Sequence, residues 1–519
     1  MTGAAATRTA PTESALRRSI AATLLPGFLG TTLPDWLEAR LRAGLGGVCL
    51  FGQNIASPEQ LRALTDAIYA ANPDAVVAID EEGGDVTRLY YGSGSPYPGN
   101  AILGRLDDPD YTEHIARRVG EELRRLGVNL DFAPDIDINS NSDNPVIGVR
   151  SFGTSPALVA EHGAAWTRGL QSAGVAAAAK HFPGHGDTSG DSHLVLPVVD
   201  ASPEQLRERE LVPFRAVVAA GARAVMTSHL LLPQLDAALP ATLSPAILGM
   251  LRGELGFHGV VVSDALDMHG ASGERGIPEA AVLALAAGCD LLCIGTENTD
   301  DQLQSIEDAI AAAVAAGRLP VSRLTDAAAR IRTLTASTST PAVESAKTAH
   351  DTPGERAVFA DSTVGAGDVE RVERAFDVSG AAREWLAQNG GGRYSVVRID
   401  TEANIAVGTA PWGPFAEVEA DPDGPAAAAF AANPAVVLTE QDHPDLVLAA
   451  QSPVLVIGRD NHRHAFARAA IDRLRAEREH VLVVDMGWPG DDRAYADIAT
   501  FGASRLVGQA LLALLGRGS

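Results

Sequence analysis

Gly174-Val-Ala-Ala-Ala-Ala-Lys-His-Phe-Pro-Gly-His-Gly-Asp-Thr-Ser-Gly-Asp-Ser-His193 joins an unbroken run of small apolar residues to a loop of histidine, aspartate and glycine. An apolar run that does not alternate with polar residues is a strand buried on both faces, the mark of a parallel sheet covered by helices. The fourteen residues from Lys180 to His193 then hold three His, two Asp, one Lys, three Gly and one Pro. Packing does not call for that composition. Gly and Pro let a backbone turn tightly beside a ligand, while His and Asp move protons or hold metals near neutral pH. A strand that ends in such a loop is a candidate functional site.

The same unit recurs along the chain. Apolar runs occupy residues 21–28, 47–52, 75–80, 127–134, 174–181, 222–229, 259–264 and 289–295. Amphipathic segments separate them, among them 57–71, 111–126, 156–173, 202–220, 244–255 and 278–287, several opened by Ser, Asp or Pro as helix starts are. Eight such units over about 300 residues predict a (β/α)8 TIM-type barrel, whose chemistry sits at the C-terminal ends of its strands. Polar residues gather there: Asp80 ends the third run, Asp135 and Asp137 follow the fourth, Lys180 and His181 end the fifth, His229 the sixth and Asp264 the seventh. An open doubly wound sheet would place polar groups similarly, so this pattern argues for parallel α/β more strongly than for closure.

With 519 residues the chain exceeds what one core sustains. It divides into a mobile start at 1–12, the barrel at 13–335 sealed by a helix over 321–334, a Thr/Ser/Ala/Pro-rich linker at 336–354, and a smaller α/β sandwich domain at 355–519. The last domain has strand candidates at 396–399, 435–438, 454–457 and 481–484, helices at 463–478 and 503–515, and an alanine-rich patch at 426–432. It carries neither GxGxxG nor Walker spacing. Its cluster Asp460, His462, Arg463 and His464 reads equally as a solvated helix start.

Lys plus Arg number 41 against 66 Asp plus Glu, a net charge of −25, which disfavours nucleic acid and anionic membrane as partners. No run of about 18 residues is free of charges and breakers, so no membrane span is expected. Cys49, Cys289 and Cys293 lie in apolar runs without CxxC spacing and read as buried thiols in a reducing compartment. Arg17-Arg18 before an apolar segment imitates an export signal, but that segment is short, is broken by Pro26 and Gly27, and leads to no A-x-A site. It is read as the first strand, and the protein is expected in the cytoplasm.

A carboxylate at the end of a buried strand, such as Asp264, persists only with donors around it or a positive charge developing beside it; a lone one more often caps the next helix. Asp191 and His193, two apart in a glycine-containing loop, can hydrogen-bond, which fixes the imidazole tautomer and leaves its other nitrogen to exchange a proton. His181, His185, Asp187, Asp191 and His193 also read as a zinc-ligand cluster, although HExxH is absent and the spacing does not reproduce HxHxDH. Metal-assisted hydrolysis therefore ranks second on residue chemistry alone.

Taken together, Lys180–Gly186 and Asp191–His193 resemble the KHFPGHG…DSH signature of family 3 glycoside hydrolases, in the β-N-acetylglucosaminidase branch. Gly46–Phe51 with Asn54, Asp80–Gly84 with Arg88, Phe132–Asp137 with Val146–Gly153, Met226–His229, and Ser263–Met268 with Gly270-Ala271 agree in the same order. The resemblance covers roughly residues 20–335 and implies a retaining exo-β-N-acetylglucosaminidase without cofactor or metal, acting on cell-wall fragments or chitooligosaccharides. It makes Asp264 the nucleophile, His193 the acid/base held by Asp191, and Asp80, Arg88, Arg150, Lys180, His181 and His229 the sugar contacts. Single-domain members often place an acid directly after the nucleophile; Ala265 stands there here and, with residues 355–519, points to the two-domain form, the second domain being structural or a rim of the site. An imidazole does not repel phosphate as a carboxylate would, so a β-N-acetylglucosaminide phosphorylase is the alternative acceptor reading. A silent sugar-binding protein on the same barrel is the alternative of another class.

Overall fold

The computed structural model describes residues 12–190, 195–338, 366–401, 404–441 and 452–517. The eight apolar runs become strands shorter than the runs themselves: β1 Leu24–Leu25, β2 Gly47–Leu50, β3 Val76–Ile79, β4 Leu130–Asp131, β5 Ala176–Phe182, β6 Ala224–Thr227, β7 Val260–Ser263 and β8 Leu291–Cys293. All pair in parallel in the order β1-β8-β7-β6-β5-β4-β3-β2. The Cys49 N–H donates to the Pro26 carbonyl at 2.9 Å, bringing β2 against β1 and closing the circle.

Period-two alternation sorts the strand side chains. One set, including Val48, Leu50, Val77, Ile79, Ala177, Ala179, Val225, Val261 and Leu292, packs outward against the helices. The other fills the barrel: Leu25, Cys49, Val76, Ala78, Leu130, Phe132, Ala176, Ala178, Ala224, Met226, Val260, Val262, Leu291 and Cys293. Ile331 and Leu334, from the helix Val321–Thr338, join this inner cluster and plug the barrel, as expected of the sealing helix. The surrounding helices start where local chemistry dictates. Ser57 accepts from the Gln60 N–H ahead of Pro58–Ala71, and Asp108 from the Tyr111 N–H ahead of Pro109–Arg125, each with Pro in the first turn.

The run at 21–28 departs from expectation. Residues Glu13–Ala21 form a helix capped by Thr12, and only Leu24–Leu25 remain extended. The helix buries Ile20 and Ala21, while Arg17 reaches Asp308 at 2.6 Å across the surface, so the basic pair belongs to an amphipathic helix ahead of the strand. The sealing helix runs to Thr338, past the expected boundary at 335. Residues 1–11, and 339–365 with most of the expected linker, lie outside the described residues.

The second domain contains β9 Asp377–Val378, β10 Ser395–Ile399, β11 Ala435–Leu438, β12 Val454–Gly458, β13 Val481–Asp485 and β14 Ile498–Ala499. Their order is β11-β10-β12-β13-β14-β9, parallel except for β9. Alternate residues face opposite layers: Val396, Leu455, Ile457, Leu482 and Val484 meet a cluster that includes the helix Arg505–Gly516, and Val397, Ile399, Val456 and Val483 meet Ala465–Glu477. The alanine-rich patch is the helix Pro425–Ala431.

Ala101 and Ile102 of the barrel helix Asn100–Leu106 are buried in the second domain's core. Polar contacts surround them: the Ala503 N–H donates to Asp85 Oδ1 at 2.8 Å, and Arg463 Nη1 to the Asn144 carbonyl at 3.1 Å. His462 and Arg463, ambiguous in the sequence, thus lie at the contact between domains, His462 Nε2 being 3.4 Å from Asp143. Cys49, Cys289 and Cys293 are buried and free. Among the described residues no helix is long and apolar enough to cross a membrane.

Candidate active site

One further step along the inward-facing strand positions reaches the barrel mouth. Phe51 follows Cys49, Asp80 follows Ala78, Lys180 follows Ala178 and Asp264 follows Val262, each two residues on. All four line a cavity of about 510 Å³, with Phe132, Met226 and Cys293 beneath them as an apolar floor. Glu82, Arg88, Tyr91, Arg150, His181, His185 and Asp267 complete much of the wall.

The loop Asp80-Glu-Glu-Gly-Gly-Asp85 assigns a separate task to each carboxylate. Asp80, on the cavity side, receives Lys180 Nζ at 2.7 Å and has Arg88 Nη2 at 3.9 Å. Glu81 turns away and accepts from Thr87 Oγ1 and the N–H groups of Arg88 and Leu89 at 2.9–3.0 Å, shaping the turn that carries Arg88. Burial outweighs those donors and pushes its carboxyl up to about 7. Glu82 takes a two-pronged contact from Arg150, Nε at 2.9 Å and Nη2 at 2.7 Å, and Lys180 Nζ at 2.7 Å. Against the cost of burial, Arg150 and Lys180 hold the Glu82 carboxyl well below the usual range. Asp80 and Glu82 in turn keep the buried Lys180 charged. Asp85 reaches the second domain.

A second chain of buried groups starts from β4. Arg150 Nη2 lies 3.3 Å from Asp135 Oδ2, and His181 Nδ1 donates to Asp137 Oδ2 at 2.6 Å. Asp137 Oδ1 also accepts the His185 backbone N–H at 2.7 Å. Burial, then the neighbouring Asp137 charge, raises Asp135 well above its ordinary range; Asp137, despite burial, is held low by His181. The contact to Asp137 leaves His181 Nε2 on the cavity side, 3.5 Å from Arg150 Nη2. His185 packs edge-on against His181, meets Thr188 Oγ1 at 3.0 Å through Nδ1, and is pushed down to about 4 by burial.

Of the five residues in the zinc-ligand reading, Asp187 faces outward to Arg209 at 2.6 Å, and Asp191 and His193 lie outside the described residues. Among the described residues the one metal-like grouping is Asp135, Asp137 and His181. There Arg150 already supplies the positive charge beside Asp135, and His181 Nδ1 and Asp137 are bonded to each other. This set is a hydrogen-bonded relay that orients His181.

Asp264 follows β7 directly, with Oδ1 accepting the Ala265 N–H at 2.8 Å. His229, expected among sugar contacts, is fully buried and is not a wall of the cavity. Its Nε2 donates to the Ala265 carbonyl at 2.9 Å, and its Nδ1 meets Thr242 Oγ1 at 2.9 Å, which in turn is 2.8 Å from Thr227 Oγ1. These bonds place His229 behind the turn that presents Asp264. The structure therefore brings Asp80, Arg88, Arg150, Lys180, His181 and Asp264 to one cavity and sets His229 beneath it.

Three contributors escaped the sequence reading. Glu82 was discoverable, standing two residues after inward-facing Asp80 and between two cations' worth of partners. Tyr91 and the second-domain segment containing Ile405, Ala406 and Gly408, which also line the cavity, carry no local signal.

The profile described as the glycosyl hydrolase family 3 N-terminal domain matches residues 35–334. A β-hexosaminidase A of Pseudoalteromonas piscicida is 36% identical over 59% of this chain, which spans about half (55%) of that relative's length. A β-hexosaminidase of Stenotrophomonas maltophilia is 39% identical over 55% of this chain and 87% of its own length. A glycoside hydrolase family 3 β-N-acetylglucosaminidase from Paenibacillus sp. superposes with a TM-score of 0.80 at 30% identity, covering 98% of this chain and 97% of its own.

Proposed function

Because the chain belongs to glycosyl hydrolase family 3, we propose that this glycoside hydrolase is a retaining exo-β-N-acetylglucosaminidase that removes terminal β-linked GlcNAc from cell-wall fragments or chitooligosaccharides. The observation that carries the reading is the placement of Asp264 in a cavity closed below by Phe132, Met226 and Cys293 and walled by charged hydrogen-bonding groups. A closed floor admits a chain end, and Asp80, Arg88, Lys180 and His181 supply acceptors and donors for the hydroxyls of one sugar ring. Arg150, bound on two sides by Glu82 and Asp135, holds the relay and fixes where His181 sits.

In the first step His193, oriented by Asp191, gives its proton to the glycosidic oxygen as the C1–O bond breaks and an Asp264 oxygen bonds to C1. In the second, water gives a proton to His193 and attacks C1, and the Asp264–C1 bond breaks. Two inversions leave the product β. The Thr227–Thr242–His229 bonds restrain the turn around Asp264, so its carboxylate meets C1 without reorganisation. Positive charge developing at C1 is stabilised by the Asp264 carboxylate beside it.

The test is product analysis with an aryl β-GlcNAc substrate and a chitooligosaccharide, with and without millimolar phosphate. GlcNAc of β configuration as first product in both supports the reading. Absence of turnover overturns it, and GlcNAc-1-phosphate as main product replaces water as acceptor. A cytoplasmic location is part of the proposal, supported by the packing of the Arg17-Arg18 helix onto the barrel surface through Asp308. Recovery of native protein lacking residues 1–28 would contradict it.

A further inference from the structure

The second domain sends residues 404–409 onto the rim of the barrel cavity, and three sets of contacts hold them there. Asn404 Nδ2 lies 3.5 Å from the carbonyls of Pro145 and Val146, while its Oδ1 accepts the Val407 N–H at 2.9 Å and tightens the turn. Arg88 Nη1 donates to the Ala406 carbonyl at 3.0 Å. The Tyr91 hydroxyl accepts the Thr409 N–H at 3.2 Å and meets Thr409 Oγ1 at 3.2 Å. Gly408 allows this approach: its φ is +70°, and a Cβ there would stand 2.7 Å from the Tyr91 hydroxyl oxygen.

Between these anchors Ile405 lines the cavity with 54% of its surface exposed. A lone exposed isoleucine means little on an ordinary surface. Here the backbone on both sides is fastened to the barrel, one neighbour by the arginine proposed to hold the sugar. With the floor closed by Phe132, Met226 and Cys293, a leaving group attached to a sugar at Asp264 has to extend toward the rim. Pyranose and aryl rings both offer an apolar face that an aliphatic side chain covers.

Resting on the glycosidase reading above, we propose that Ile405 is the contact for the ring face of the leaving group, in a subsite that the second domain builds onto the barrel. The Arg88–Ala406 bond ties that subsite to the sugar position, so the two halves of the substrate are held by one docked loop. An interaction made equally in ground and transition states acts on KM and leaves kcat nearly alone.

The full-length enzyme, Ile405→Ser and Ile405→Val are compared on three donors: a β-1,4-linked GlcNAc disaccharide, an aryl β-GlcNAc, and β-GlcNAc fluoride, whose leaving group is a single atom. Losing one apolar contact predicts that Ile405→Ser lowers the kcat/KM ratio of each ring-bearing donor to the fluoride by about five- to ten-fold, chiefly through KM. Ile405→Val is expected to recover most of the ratio. Ratios within two-fold of wild type, or a loss confined to kcat, overturn the subsite while leaving the glycosidase reading intact. Wild-type enzyme that turns over none of the three donors overturns both.

Discussion

Glu82→Gln removes one charge from the point where the two networks of the site meet. The Glu82 carboxylate is 3% exposed and takes three donors, Arg150 Nε and Nη2 at 2.9 and 2.7 Å and Lys180 Nζ at 2.7 Å. Glutamine offers one acceptor and turns an N–H₂ group toward a donor. Lys180 keeps Asp80, and Arg150 keeps Asp135 at 3.3 Å, but the buried cations lose their shared counter-charge. Removing one partner of a buried ion pair costs about 3–5 kcal/mol. With an unfolding entropy of about 2.1 cal/mol/K per residue over roughly 300 barrel residues, that is a melting temperature lower by about 5–8 °C. The pH dependence has a definite sign. The folded carboxyl is depressed, so its contribution is present above the unfolded pKa of about 4.3 and is lost as pH falls toward the folded value. The difference between variant and wild type should therefore be full at pH 7 and shrink below about pH 4. Calorimetry across that range, with steady-state kinetics at pH 7, checks both parts. A shift below about 2 °C with kcat/KM within two-fold of wild type would refute the argument that Glu82 organises the site.

Other outcomes follow from the same geometry. Asp264→Asn should abolish turnover with every leaving group, whereas His193→Ala should spare activated aryl donors in the first step; equal, mild losses in both would defeat the assignment. His229→Leu should lower kcat about ten-fold or more with little change in KM, and His229→Gln should recover part of it, since His229 holds the Ala265 carbonyl behind Asp264. Glu81 near 7, Glu210, the buried partner of Arg209, also near 7, and Asp85 near 6, all raised by burial, bind protons more tightly folded than unfolded, so their contribution is present at acid pH and lost as pH rises through those values. Above the unfolded histidine pKa of about 6.5, where buried neutral histidines such as His185 no longer add stability with rising pH, a melting temperature that falls toward pH 8 is expected, and one that rises would contradict it. Dialysis against a chelator should leave activity unchanged; loss restored by zinc would revive the metal reading.

The barrel was legible because its evidence is local and repeated. Eight apolar runs state the strands, the polar residues at the ends of the third to seventh mark the end that carries the chemistry, and period-two counting from Ala78, Ala178 and Val262 lands on Asp80, Lys180 and Asp264. Strand lengths were less legible, since apolar residues extend beyond the paired segment; residues 127–134 yield only Leu130–Asp131. The Glu13–Ala21 helix was hidden because its apolar face runs into the strand without a breaker until Pro26. His229 could be located but not assigned a direction: a histidine at a strand end faces either the cavity or the neighbouring turn, and Thr242 and Ala265 decide that only in three dimensions. Ile405 and Ala406 were beyond sequence reasoning altogether, because their meaning comes from docking against Arg88, 318 positions away from Ala406.

Asp264 is the residue proposed to carry the sugar between the two chemical steps. Incubation with a fluorine-substituted β-GlcNAc donor that forms the intermediate faster than it releases it, followed by peptide mass spectrometry, addresses this directly. One added sugar is expected on the peptide containing Ser263-Asp264-Ala265, none in Asp264→Asn, and return of activity as the adduct is released. A sugar on a different residue, or inactivation without any adduct, would contradict it.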